Sequence, residues 1–374
     1  MLAIFVGLFA CLVYLFQSWI YEKYWDKGLR LTLGFSKDAA YRKEEVDLIE
    51  VVENRKKLPL PILTVKFETS RNLVAKDDKN SSVSDNYYRN DIFTMRSMRK
   101  VTRTIPFYCE QRGYYDIHDV TILAPNLFLK NEQVARVEKD VCIYVYPERI
   151  VDDYTNNILS RITGDVLSKR HRQEDVFEFR GIRDYAPTDE MRTINWKATA
   201  RTGDLKVNMK NYTSLRAVRI FLNLEDTGIL KHTEADEYAM ALAASLSESI
   251  LASGMRVILE TNGVDVKNGQ RISVPESGGR SQLDTILKSL ARIDTNQPIQ
   301  PFVETLGQQV KDNTAGVYTI LITAEVRDEF VNLVKDIVNL KSDFHVLQVY
   351  ERQSEEKDVW GGITSNVKTV FIKD

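Results

Sequence analysis

The run Val218-Arg219-Ile220-Phe221-Leu222-Asn223-Leu224 leads into residues 234–253, where Tyr238, Leu242, Leu246 and Ile250 recur at helical spacing, and then into residues 256–260. A short, nearly unbroken apolar run suits a strand buried on both faces, and apolar residues four apart mark one stripe of a helix. Strand, helix and strand in succession call for a right-handed crossover between parallel neighbours. The alternation continues with a helix over 283–293, a strand over 317–323, a helix over 328–340 and a strand over 344–350. An α/β domain with a mostly parallel sheet is therefore expected over residues 216–374.

Upstream the period changes to two. Residues 29–35 and 45–53 read as strands; in the second, Val46, Leu48, Glu50 and Val52 alternate with Asp47, Ile49 and Val51. Asn54-Arg55-Lys56-Lys57-Leu58-Pro59-Leu60-Pro61 breaks the run, and residues 62–67 resume it. Strands follow over 102–108, 115–123 and 141–146, while the polar stretch 71–90 reads as a loop. Several short strands at this spacing predict an antiparallel β-sandwich over residues 28–148. Residues 149–215 form a connector between the two domains, rich in charge and aromatics.

The first residues are different again. From Met1 to Phe16 the chain is apolar apart from Gly7 and Tyr14, and Trp19, Ile20, Tyr21 and Tyr24 follow. About 20 such residues at 1.5 Å rise cross a hydrocarbon core of roughly 30 Å, and Trp and Tyr favour the headgroup level. Residues 1–24 are thus expected to be a transmembrane anchor. A cleaved signal peptide is the rival, though no basic segment precedes the run and no small-residue cleavage site follows it. Lys23, Lys27 and Arg30 follow the helix, which places the soluble domains in the cytoplasm of a single-pass protein.

A formal net charge of −2 gives no general attraction to nucleic acid. Cys11, Cys109 and Cys142 are too scattered for a disulfide framework; Cys109 and Cys142 could pair in an oxidising compartment, and free thiols in strands are the simpler reading. The four histidines show no ligand spacing. Gly-x-Ser-x-Gly, His-Glu-x-x-His and phosphate-binding glycine loops are missing. A non-enzymatic protein is expected, with an extracytoplasmic binding protein or a carboxylate-based envelope hydrolase as the alternative.

The connector carries the most specific pattern: Glu178-Phe179-Arg180-Gly181-Ile182-Arg183-Asp184-Tyr185-Ala186-Pro187-Thr188-Asp189-Glu190-Met191-Arg192-Thr193-Ile194-Asn195-Trp196-Lys197-Ala198-Thr199-Ala200-Arg201. It resembles the signature of the domain of unknown function 58 family: a Glu, Gly-x-Arg-x-Tyr, a Pro-x-Asp-x-x-Arg turn, and Ile-x-Trp-Lys-x-x-Ala-Arg. Thr188 departs from it where the family usually has glycine. Glu53-Asn54-Arg55, Arg112-Gly113-Tyr114 and Tyr146-Pro147 also resemble the family. The resemblance implies a membrane-linked β-sandwich, a von Willebrand factor A-like domain, and a MoxR-type AAA+ ATPase as partner in assembling or maturing other proteins.

Two readings of the signature stay open. In one, its charges pair locally and Trp196 and Tyr185 pack beneath a salt-bridged connector, with Glu178, Gly181 and Pro187 as structural positions. In the other, Arg180, Arg183, Tyr185, Asp189, Arg192, Lys197 and Arg201 form a docking face, because Arg offers a planar fork to carboxylates and Trp and Arg dominate binding hot spots. Trp196 is expected to be structural, and Arg183 or Arg192 to belong to the docking face. In metal-binding A domains the first strand ends in Asp-x-Ser-x-Ser. Here Asn223, Glu225, Asp226 and Thr227 form a degenerate loop in which no register supplies both hydroxyls, so no cofactor is expected and Mg²⁺ is the less favoured outcome.

Overall fold

In the N-terminal strands a period of two puts alternate side chains on opposite faces, and a sheet of this kind must bury one face against another. A computed structural model describes residues 2–76, 80–126, 132–137, 141–170, 174–187, 189, 191–212, 217–225, 233–297, 299, 301–311, 316–340, 343–350, 360–361 and 366–372. The chain divides into two units, Met1–Arg149 and Ile150–Asp374.

The first unit begins with helix α1 (Leu2–Tyr24), followed by β1 (Leu29–Phe35), β2 (Ala39–Tyr41), β3 (Glu45–Asn54), β4 (Leu60–Ser70), β5 (Leu73–Ala75) and β6 (Ser81–Val83). Then come β7 (Asn86–Met95), β8 (Arg99–Cys109), β9 (Gly113–Ala124), β10 (Gln133–Arg136) and β11 (Val141–Tyr146). One sheet has the order β1-β3-β8-β5 and the other β2-β11-β9-β4-β7-β6, with β10 on β9. The pairs are antiparallel except for β2 with β11. Leu48, Phe67, Phe93, Phe107 and Ile143 fill the core of this antiparallel sandwich.

Two expectations are corrected here. The stretch 71–90 is not a loop: it contributes β5, β6 and the start of β7, whose Tyr87, Arg89 and Asp91 point inward. Its strands are short and its inward face partly polar, which hid the alternation. Tyr21 is not in an interfacial belt. Gln17, Tyr21 and Trp25, four apart and so on one helical face, are buried, with Tyr21 and Trp25 joining the sandwich core and the Tyr21 hydroxyl donating to the Pro59 carbonyl at 2.7 Å. Trp19 and Tyr24 remain exposed, with the Lys23 ammonium 4.9 Å from the Trp19 ring. The helix from Ile4 to Tyr24 is long and apolar enough to cross a membrane. Cys109 is buried and Cys142 half-buried, both as free thiols, and burial pushes the Cys109 thiol up to about 11.

The second unit contains α2 (Asp153–Arg170), β12 (Glu174–Asp184), a 3-10 turn (Met191–Thr193), α3 (Trp196–Thr202), β13 (Lys206–Tyr212), β14 (Ala217–Asn223), α4 (Thr233–Ala252) and β15 (Arg256–Asp265). It continues with β16 (Arg271–Ser277), α5 (Gly279–Ala291), β17 (Ile293–Asp294), α6 (Phe302–Lys311), β18 (Val317–Thr323), α7 (Asp328–Leu340), β19 (Phe344–Tyr350) and β20 (Val367–Phe371). The main sheet runs β16-β15-β14-β18-β19-β20, parallel except for β16, with β17 pairing antiparallel to β15. The strand β14 is buried almost throughout, as its continuous apolar run requires. Helix α2 packs on α4, where Thr155 meets Tyr238 at 2.9 Å between hydroxyls.

Candidate functional site

The signature folds as a β-hairpin with a short helix in its connection. Strands β12 and β13 pair antiparallel as a separate two-stranded sheet, with Ile182 opposite Asn208 and Asp184 opposite Lys206. Asp189 closes the turn between them. Both its oxygens take the Arg183 guanidinium at 2.6 Å, and one also accepts from the Ala186 N–H at 2.8 Å. The guanidinium fork and that backbone donor hold the Asp189 carboxyl at about 2, well below the usual range.

Asn195 starts α3: its side-chain oxygen accepts from the Ala198 N–H at 2.9 Å, and its amide nitrogen donates to Asn208 at 2.6 Å. Gly203 ends the helix in the left-handed conformation at φ 82°. The Lys206 N–H donates to the Thr199 hydroxyl at 3.0 Å, pinning the helix to β13. Ile194 and Val207 form a bridge and are the buried pair beneath it.

This arrangement separates the signature residues. Trp196 is 65% exposed and no residue of α3 is buried, so Trp196 does not pack beneath the connector. It opens the helix, while Ile194, two residues earlier, takes the buried place. Lys197 and Arg201, four apart on α3, are exposed, as is Pro187, and Tyr185 is half-buried. Arg183 is committed to Asp189 and therefore serves the turn. Glu178 and Arg180 lie on β12, Gly181 follows them, and Arg192 lies in the 3-10 turn; the side chains of Glu178, Arg180 and Arg192 are outside the described residues.

A second polar constellation stands at the carboxyl ends of the parallel strands. The chain leaves β14 for β15 on one side and returns to β18 on the other, so β14 and β18 flank the crevice where the strand order reverses. Asn223, Thr323 and Gln348 are register partners across β14, β18 and β19, and all three are buried. The Asn223 amide nitrogen donates to Thr323 at 3.2 Å and to Glu325 at 2.8 Å, and its oxygen accepts from Asn262 at 3.0 Å. Glu225 accepts from the Phe302 N–H at the start of α6 at 2.9 Å. Arg327 bridges the acids, donating to Glu325 at 2.6 Å and to Glu225 at 2.5 Å. Burial raises the Glu325 carboxyl above its usual range, and the donors from Asn223 and Arg327 oppose that rise.

The donor set among the described residues does not fit a divalent ion. Asn223 turns its amide nitrogen, not its oxygen, toward Thr323 and Glu325, and the Arg327 guanidinium already occupies an oxygen of each carboxylate. Asp226 and Thr227 lie outside the described residues. Sequence reasoning named the Asn223 loop and missed Asn262, Thr323 and Arg327. The available signal was a polar residue ending an apolar run in both β14 and β18, with an acid two residues further on.

Comparisons with known proteins give the family and little else. Over 240 residues the chain is 23% identical to the "Uncharacterized protein YeaD" of Bacillus subtilis (strain 168), a match covering 63% of this chain and 57% of that relative's length. A type I cohesin from Pseudobacteroides cellulosolvens aligns at 14% identity and a TM-score of 0.23, covering 33% of this chain and 96% of its own. The sporulation control protein Spo0M from Bacillus subtilis aligns at 13% identity and a TM-score of 0.19, covering 40% and 58%. Scores of this size carry no functional weight. The family model described as "Protein of unknown function DUF58" matches residues 181–359, which takes in the hairpin from Gly181 and most of the α/β sheet but not the sandwich. Over those residues, just under half of the chain, the match is to the DUF58 family.

Proposed function

We propose that the chain is a membrane-anchored, non-enzymatic adaptor whose signature hairpin docks an acidic face of a protein partner. The observation that carries this reading is α3, a helix with no buried residue that presents Trp196, Lys197 and Arg201 while Asn195, Thr199 and Gly203 fix it to the hairpin. Exposing a tryptophan costs hydration free energy, and a rigid aromatic flanked by cations is the composition of a binding hot spot. Exposed Met191 and Ile182 belong to the same hairpin. By resemblance the partner is a MoxR-type AAA+ ATPase. In this reading helix α1 is an anchor, and the cations after it, Lys23, Lys27 and Arg30, favour both units on the cytoplasmic side.

Trp196→Ala and the double reversal Lys197→Glu/Arg201→Glu separate docking from scaffolding. Each is expected to leave unfolding free energy within about 0.5 kcal/mol of the parent. Capture of the ATPase should weaken by about thirtyfold, the equivalent of about 2 kcal/mol at a hot spot. Parental capture by both variants, or a Trp196→Ala protein that melts early, rejects this surface.

A further inference from the structure

The sandwich carries a cluster that the docking reading does not use. Glu68 on β4 and His118 on β9 are register partners, and Asp119 follows His118. Between this pair and the next, Lys66 with Thr121, β9 advances one residue more than β4, so a bulge lies at Asp119, whose φ is 52°. Bulges re-aim side chains, and this one gathers ligand atoms of Glu68, His118 and Asp119 to within 4.8 Å of one another. Glu68 and Asp119 line a cleft of about 490 Å³, whose wall continues through Asn80, Ser81, Ser82 and Thr121.

Two contacts outside the triad orient it as ligands are oriented. His118 Nε2 faces Glu68 at 3.6 Å, while Nδ1 faces the Asp116 carboxylate at 3.8 Å. A carboxylate behind the imidazole with the other nitrogen turned to the site is the usual support of a metal-bound histidine. Glu68 is steadied by the Asn86 side-chain amide, which donates to Oε1. Three carboxylates thus surround one imidazole, and Lys66 on β4 and Arg89 on β7, itself paired with Asp91, are the cations that line the cleft.

We infer that Glu68, His118 and Asp119 form a site for a divalent metal ion of the borderline class, with Zn²⁺ as the probe. One imidazole and two carboxylates supply three ligands, and the cleft leaves room for a fourth from water or a bound group. At bond lengths of about 2.0–2.2 Å, tetrahedral ligands stand about 3.4 Å apart, so the side chains close by roughly 1 Å on binding. His118 and Asp119 are exposed and Glu68 is half-buried, so most of that movement falls to the rotamers of His118 and Asp119.

The test is calorimetric titration of the untagged full chain in detergent with Zn²⁺. A saturable one-to-one isotherm is expected, weakened at least tenfold by His118→Asn and by Glu68→Gln, and about tenfold by Asp116→Asn. Cys142→Ser should bind as the parent, and excess Ca²⁺ should not compete, because an imidazole ligand disfavours it. All variants are checked for parental melting. No saturable isotherm, parental affinity in either His118→Asn or Glu68→Gln, or equal displacement by Ca²⁺ would each reduce the cluster to a surface network of charges.

Discussion

Glu50 shows how one residue sets the chemistry of its surroundings. It lies on the inward face of β3, and its register partner on β8 is Arg103. It is fully buried, neither carboxyl oxygen meets a hydrogen-bond donor among the described residues, and Asp91 stands beside it. Asp91 holds the cations instead: Arg89 donates to it at 2.6 Å, and Arg103 pairs with its other oxygen. Burial, reinforced by the Asp91 charge, pushes Glu50 up to about 8. A raised folded-state pKa means that the folded protein binds more protons. Stability from this group is complete below the ordinary glutamate range and is lost as pH rises toward about 8. Glu50→Gln keeps the neutral shape and removes the titration. Across that window its stability relative to the parent should rise by up to about 1.4 kcal/mol per pH unit, measured by denaturant unfolding at stepped pH. A flat difference would mean that Glu50 is already ionised in the folded protein.

At the scale of elements, α1 does two jobs along its length. From Ile4 to Phe16 its large side chains are exposed, apart from half-buried Tyr14, whereas Gln17 is buried and Tyr21 and Trp25 join the sandwich core. The boundary between anchor and domain therefore falls inside the helix, about two turns before its aromatic end. Removing residues 2–16 should release a folded, soluble protein. Removing residues 2–25 should also strip two aromatics from the core and cost at least about 3 kcal/mol more. Fractionation after a high-salt wash, followed by melts of both truncations, checks this. Retention of the shorter truncation in the pellet would show a second membrane attachment.

For the molecule as a whole, two units with separate cores should unfold as two calorimetric transitions. Arg327→Ala leaves the buried Glu325 without its ion partner, at a cost of about 2–4 kcal/mol, less than for a fully buried pair because the guanidinium is half exposed. It should lower the α/β transition, while Glu50→Gln moves the sandwich transition. A single transition shifted by both variants would show that the units fold as one.

Much of this organisation was legible from the chain. The unbroken apolar run of β14 and the four-residue spacing of α4 report burial directly, because a side chain's face follows from backbone period alone. For the same reason Glu50 could be placed on the face of Val46 and Leu48 before its surroundings were known. The signature also announced its family, since its glycine, proline and asparagine positions are bound to local turn and cap geometry. What only tertiary structure decided depends on residues distant in sequence. Asn223 and Thr323 are 100 residues apart and meet through strand order, and Glu68 meets His118 only because β4 and β9 are neighbours. The exposure of Trp196 belongs here too. Its type predicts burial, but the Asn195 cap and the Ile194 bridge to Val207 turn it outward, and no local period records that choice.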